Sequence, residues 1–307
     1  MFYMGYDKSS TKSQSNEKMK LITGTRNGQT VAGWLDGDTV VICATGPDAS
    51  GAVLALIAGG DAARADWAAK DGPRVPVADI RLMAPIPEPR RDIFCVGKNY
   101  HAHAAEFHKS GFDSSAKEQV PSAPVIFTKA TTSVVGPGDT VRASIDPTAS
   151  VDYEGELAVV IGKRAFGVSK AQAMDHVFGY VIVNDVTSRE LQKRHNQWVI
   201  GKGCDTFCPM GPWIATADEV GDPTALELTT EINGALRQHA TVSELIFDIP
   251  TLIETLSQTI TLLPGDIIAT GTPVGVGIGF TPPIYLRPGD VMRVAITGLG
   301  VLENPVG

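Results

Sequence analysis

The chain has 307 residues, of which 26 are Lys or Arg and 34 are Asp or Glu, and the resulting charge of −8 argues against a nucleic-acid partner. Hydrophobic residues at 43% and charged residues at 20% suit an ordinary globular core and argue against global disorder. No apolar run reaches the roughly 18 residues of a membrane span, and four cysteines are too sparse for a disulfide scaffold, so the expectation is a soluble protein of a reducing, cytoplasmic compartment without a membrane partner.

The first 18 residues are polar, without the apolar stretch of a secretory signal, and are expected to form a disordered tail. From Met19, alternating residues with turns at Asn27-Gly28 and Asp36-Gly37 predict short strands. Residues 51–70, Ala-rich with apolar residues at helical spacing, predict one helix. Residues 19–88 are therefore read as a small N-terminal β-rich domain. Pro85, Pro87 and Pro89 mark a linker, and residues 89–307 are read as the second, larger domain.

Beyond the linker, Ile93-Phe94-Cys95-Val96 reads as a buried strand, and Asn99 as the cap of a helix from about Tyr100 to Lys109. The polar stretch between Phe107 and Pro124 is long for a connection inside a compact domain and suits a lid or a disordered loop. Pro-Gly-Asp recurs at Pro137, Pro264 and Pro288, each time as a turn feeding a strand. Further helices are predicted at 169–177, 187–194 and 249–259. With no βαβ alternation, the fold class is α+β, mostly β. The glycine-rich run from Thr270 to Gly279 lacks the third glycine and the lysine of nucleotide-binding loops, and no helix opens after it. Cys204 and Cys208 are spaced like half a zinc site, but no second pair follows.

Two carboxylates two residues apart, Glu154 and Glu156, enter the apolar run Val151 to Ile161. A strand's period of two puts them on one face, where burial makes them repel unless a cation sits between them. A second buried-looking strand ends in Asp185, and three carboxylates without His or Cys suit a hard cation such as Mg²⁺ or Mn²⁺. The same residues also fit a solvated strand edge, with Asp185 as a helix cap. His103 and Glu106 lie three apart on one helical face, as a general base for water or as an ordinary surface pair. Lys202 stands among small and apolar residues, where it either snorkels or needs an anionic partner such as a bound carboxylate or enolate.

Asn99-Tyr100 with His103 and Glu106, Asp152-Tyr-Glu154-Gly-Glu156-Leu, Asn184-Asp185 with Arg189 and Gln192, Trp198 with Lys202 and Asp205-Thr-Phe-Cys-Pro, and Thr270-Gly-Thr272-Pro together resemble the fumarylacetoacetate hydrolase family over residues 90–305. In detail the chain is most similar to short domain-containing members and to bacterial acylpyruvate hydrolases, decarboxylases and isomerases of oxo acids. The resemblance implies a mixed β-sheet roll around Mg²⁺ or Mn²⁺ bound by Glu154, Glu156 and Asp185. It implies His103 and Glu106 as a water-activating dyad on a lid helix, with Lys202 steadying the developing oxyanion. It places Tyr100, Lys129, Arg189, Gln192 and Thr272 at a small oxo-acid substrate, and it implies a homodimer. The expected reaction is hydrolysis of a C–C bond in a 2,4-dioxo acid. Two alternatives stay open: an oxaloacetate-type decarboxylase or keto–enol tautomerase on the same metal site, and a non-catalytic binding protein of the same fold.

Overall fold

A computed structural model of the chain describes residues 18–112 and 118–307. Except for Lys18, the tail read over residues 1–18 lies outside the described residues, as do residues 113–117 of the candidate lid segment. The strands of the N-terminal part are β1 (Lys20–Arg26), β2 (Gln29–Asp36), β3 (Thr39–Thr45), β4 (Arg74–Pro76) and β5 (Arg81–Leu82). They are followed by β6 (Ile93–Gly97), β7 (Val125–Lys129), β8 (Val134–Val135), β9 (Val151–Asp152), β10 (Gly155–Ile161), β11 (Val177–Asn184), β12 (Thr187–Ser188) and β13 (Cys208–Thr216). The last five are β14 (Glu227–Ile232), β15 (Ala235–Thr241), β16 (Ile267–Ala269), β17 (Val291–Ile296) and β18 (Gly300–Pro305). The α-helices are α1 (Ala52–Ala68), α2 (His101–Ser110), α3 (Arg189–Arg194), α4 (Val199–Lys202), α5 (Ala217–Val220) and α6 (Ile249–Ser257).

One mixed sheet runs in the order β4-β3-β2-β1-β13-β11-β10-β16-β6-β7, with β5 on β1 and β8 on β13. The N-terminal hairpins join it through β1, where Lys20 pairs with Ala215 and Leu21 with Ile214. The expected turn at Asn27-Gly28 forms with φ of 50° and 76°, values that suit a two-residue hairpin turn. At Pro137, Pro264 and Pro288 the turn aspartate accepts the N–H of the residue before the proline, at 2.9, 2.6 and 2.7 Å.

Alternation along β10 sorts the core. Leu157, Val159 and Ile161 face α6, packing with Ile249, Leu252, Ile253 and Leu256. Ala158 and Val160 face the other way, toward α1 and the N-terminal strands, with Val53, Leu56, Ile57 and Leu21. Buried on both faces, each such side chain contributes about 1.5–3 kcal/mol of transfer free energy. A four-stranded sheet, β15-β14-β17-β18, and a short β9–β12 ladder complete the roll. Among the described residues, no helix is long and apolar enough to cross a membrane.

The helix predicted at 169–177 forms over Lys170–His176 as a 3₁₀ helix that runs directly into β11. Two local expectations need correction. Thr187 and Ser188 pair with β9, so the helix predicted at 187–194 starts at Arg189. Asn99 does not cap α2. Its buried amide donates to Phe247 O (3.0 Å) and Thr270 O (2.7 Å) and accepts the Phe247 N–H (2.8 Å), because a buried amide needs partners for all its polar groups and one cap bond would leave some unmet.

Candidate active site

The antiparallel register of β10 and β11 pairs Gly155 with Asn184 and so brings Glu154 beside Asp185. Asp185 N–H donates to Glu154 O at 2.7 Å, and Asn184 Oδ1 accepts the Glu154 N–H at 2.9 Å. Glu156, the second residue of β10, points to the same place. One carboxylate oxygen from each of Glu154, Glu156 and Asp185 lies within 4.8 Å of the others, and all three residues are buried. The solvated-edge reading fails on that burial. Asp185 spends its carboxylate on lysines, leaving no helix cap.

The surrounding cations are buried too. Lys202 Nζ, at the end of α4, lies 2.7 Å from Glu154 Oε2 and 2.6 Å from Asp185 Oδ2. Lys129 Nζ lies 2.6 Å from Asp185 Oδ1 and also donates to Val186 O and Lys202 O. Arg189, the first residue of α3, reaches Glu154 Oε1 through Nη1 (2.6 Å) and Asp152 Oδ2 through Nε (2.8 Å). Its buried Nη2 has no hydrogen-bond partner among the described residues.

Two neighbouring carboxylates are thereby pushed in opposite directions. Burial opposes ionisation of Glu154, but Lys202 and Arg189 overcome it and hold its carboxyl well below the usual range. Burial, reinforced by the charges of Asp185 and Glu154, raises the carboxyl of Glu156 well above it. Among the described residues no Lys or Arg forms an ion pair with Glu156, whose Oε2 accepts the Gly271 N–H at 2.8 Å. Gly271 has φ of 110°, and a side chain there would meet Asn99 Cβ at 2.7 Å, so close approach to the carboxylate requires glycine. An all-oxygen, buried donor set whose third member has no ion-pair partner among the described residues fits a hard divalent ion.

Above this floor, α2 presents His103 and Glu106. His103 Nδ1 lies 3.1 Å from Glu106 Oε2, and Glu106 Oε1 accepts the Gly275 N–H at 3.0 Å. Both side chains are largely buried, so this is not a surface pair. A carboxylate on Nδ1 makes that nitrogen the donor and leaves Nε2 basic. His103, Glu154, Arg189, Gln192, Lys202 and Thr272 line one cavity of about 10 Å³, room for roughly one water, walled by Phe107, Phe127 and Trp198.

Two residues expected at the substrate stand outside the lining of this cavity. Lys129 does not line it, its three ammonium donors being taken by Asp185, Val186 O and Lys202 O. Tyr100 does not line it either. It is the buried residue that starts α2, and its hydroxyl pKa is raised by that burial and by Glu156 and Glu244. Residues missed in the sequence also shape the site. Gln238, on β15, accepts the Gly155 N–H (3.0 Å) and donates to Thr272 Oγ1 (2.7 Å). Nothing in its polar hairpin sequence marks it. Asp152 is a third acid in period-two step with Glu154 and Glu156, and it too is buried.

The family model for the fumarylacetoacetate (FAA) hydrolase C-terminal domain matches residues 92–307. Over 248 residues the chain is 48% identical to an oxaloacetate tautomerase, YisK, of Bacillus subtilis, covering 79% of this chain and 80% of that one. Two solved structures share the fold. A fumarylacetoacetate hydrolase from Exiguobacterium antarcticum is 37% identical with a TM-score of 0.78, covering 94% of this chain and 99% of that one. A maleylpyruvate hydrolase from Sphingobium, in complex with manganese(II) and pyruvate, is 33% identical with a TM-score of 0.75, covering 94% and 98%. With its spaced motifs gathered around one buried carboxylate cluster and most of its length matched, this chain belongs to the fumarylacetoacetate hydrolase family.

Proposed function

We propose that the chain is a divalent-metal-dependent keto–enol tautomerase of a small 2-oxo diacid of the oxaloacetate type. The observation that carries this reading is that His103, held by Glu106, lines one cavity with Glu154, a member of the buried Glu154, Glu156 and Asp185 cluster. The tautomerase name of the 48% identical relative supports the substrate class.

Mg²⁺ or Mn²⁺ held by Glu154, Glu156 and Asp185 supplies Lewis-acid polarisation of the 2-oxo group and stabilises the enolate. Among the described residues around the site stand four buried carboxylates, Asp152, Glu154, Glu156 and Asp185, and four buried cations, Lys98, Lys129, Arg189 and Lys202. Arg189, through its unpartnered Nη2, and Gln192 bind the carboxylate at the 2-oxo acid end of the substrate. His103 Nε2 takes a proton from C3 and delivers it to the oxygen on C2, while Glu106 holds the ring and stabilises its charged form. The aromatic wall of Phe107, Phe127 and Trp198 excludes bulk water from the enolate.

C–C hydrolysis is the second reading, favoured by the maleylpyruvate hydrolase relative and by a cavity with room for one water beside His103. In that reaction His103 takes its proton from water, the oxygen attacks the C4 carbonyl, the C3–C4 bond breaks to release a carboxylic acid, and the departing 2-oxo acid enolate takes a proton back at C3.

The test follows enol ultraviolet absorbance of oxaloacetate with Mn²⁺ present. Wild-type protein accelerates equilibration, and His103→Ala lowers that rate by about 10²–10⁴-fold. Wild-type indifference to oxaloacetate, with cleavage of an acylpyruvate, overturns the tautomerase reading in favour of the hydrolase.

A further inference from the structure

Asp152 is fully buried, and four donors converge on its carboxylate. Oδ2 accepts Arg189 Nε at 2.8 Å and the Ile278 N–H at 3.1 Å. Oδ1 accepts the Gly277 N–H at 2.7 Å and the N–H of Tyr153 at 2.9 Å. Two residues earlier in the same glycine loop, the Gly275 N–H holds Glu106 Oε1, while Tyr153 Oη donates to Gly275 O at 2.8 Å. The loop has no slack here. A Cβ at Gly277 would meet Asp152 Oδ1 at 2.6 Å, and one at Gly279 would meet Glu106 Oε1 at 1.9 Å.

We infer that Asp152 is a positioning residue that sets both walls of the substrate cavity at once. Through Nε it fixes the plane of the Arg189 guanidinium, whose Nη2 is left without a protein partner for a bound carboxylate. Through Gly277 and Ile278 it fixes the loop whose Gly275 N–H orients Glu106 and therefore His103. One buried carboxylate thus ties substrate-anion recognition to the alignment of the base. Glu106 cannot hold His103 in register unless the loop is seated, and the loop and Arg189 share the same acceptor. Tyr153, beside Asp152 in sequence, holds the carbonyl of Gly275, the residue whose N–H binds Glu106.

Only the turnover arm of this inference rests on the tautomerase reading, so binding is measured separately. Asp152→Asn keeps the shape but removes one acceptor, forcing the loop and Arg189 to compete. With Mn²⁺ bound, kcat for oxaloacetate falls by about 10²-fold, the scale of a small misplacement of catalytic groups. Calorimetric affinity for oxalate, a planar dicarboxylate matching the 2-oxo acid end of the substrate, falls about tenfold, as for one weakened charge-assisted hydrogen bond. Mn²⁺ affinity stays within about twofold. Tyr153→Phe, a milder change that serves also if the first variant does not fold, lowers kcat about fivefold with KM unchanged. A purely structural Asp152 would lower thermal stability while leaving kcat and oxalate affinity alone, and that result overturns the inference. So does loss of Mn²⁺ binding in Asp152→Asn, or an unchanged kcat in Tyr153→Phe. If wild-type protein does not turn over oxaloacetate, the tautomerase reading fails, while oxalate binding to wild type and Asp152→Asn still decides the Arg189 half.

Discussion

Strands β10 and β11 have two kinds of interior at their two ends. At one end Val159, Val160, Ile161 and Tyr180 are buried among other apolar side chains, and each gains free energy by leaving water. At the other, Asp152, Glu154, Glu156 and Asp185 are also buried, and each charge costs several kcal/mol to desolvate, a cost that Lys129, Lys202 and Arg189 offset at Asp152, Glu154 and Asp185 but not by any ion pair at Glu156. The same hydrogen-bonded ladder carries both. The apolar end therefore holds the fold, and the charged end is a standing cost whose return lies in chemistry.

That contrast is most open to attack at Glu156. Glu156→Gln should lower Mn²⁺ affinity by more than about 100-fold, beyond the usual effect of an outer-shell residue, and abolish turnover. The melting temperature of the metal-free protein should hold or rise, since a neutral amide relieves repulsion from Asp185 and Glu154. A large fall in melting temperature would mean that the charged end stabilises the fold after all. Next in size, Lys202→Met leaves Glu154 and Asp185 short of a cation. It should cost the metal-free protein about 3–5 kcal/mol in denaturant unfolding, and a loss below about 1 kcal/mol would break the comparison.

At the apolar end, Ile161→Ala should cost about 2–5 kcal/mol of stability with Mn²⁺ affinity and KM unchanged, read from urea unfolding and steady-state kinetics. Coupling of that variant to metal binding would show that the two ends are not separate. The smallest effect belongs to the exposed pair of Arg74 and Asp36, 2.5 Å apart with side chains more than half exposed. Arg74→Ala should cost less than about 1 kcal/mol, and the difference should vanish in high salt.

Local patterns carried much of this structure in the sequence. The period-two spacing of Glu154, Glu156, Ala158 and Val160 already assigned faces to β10, and the i,i+3 spacing of His103 and Glu106 placed the dyad on one side of α2. Long-range partners were invisible. Asn99 has the composition of a cap, but it spends its amide on Phe247 and Thr270, residues about 150 and 170 positions away. Lys129, placed at the substrate only by the family resemblance, gives its donors to Asp185, Val186 and Lys202, partners that its own sequence neighbourhood does not announce. Gln238 sits in a hairpin whose sequence is plainly polar, and only the packing of the second sheet against β10 brings it to Thr272. Residues whose role follows from their neighbours in sequence were legible, and those whose role is set by a partner across the fold were not.

The central claim is that Glu154, Glu156 and Asp185 together hold one divalent cation on which turnover depends. It is tested most directly by titrating metal-stripped protein with Mn²⁺, following the electron paramagnetic resonance signal of the free ion and the rate of oxaloacetate enolisation in the same samples. The account predicts one tightly bound ion per chain, a rate that rises in step with occupancy, and neither response in Glu156→Gln. Full activity of the stripped protein, or wild-type Mn²⁺ uptake by Glu156→Gln, would contradict it.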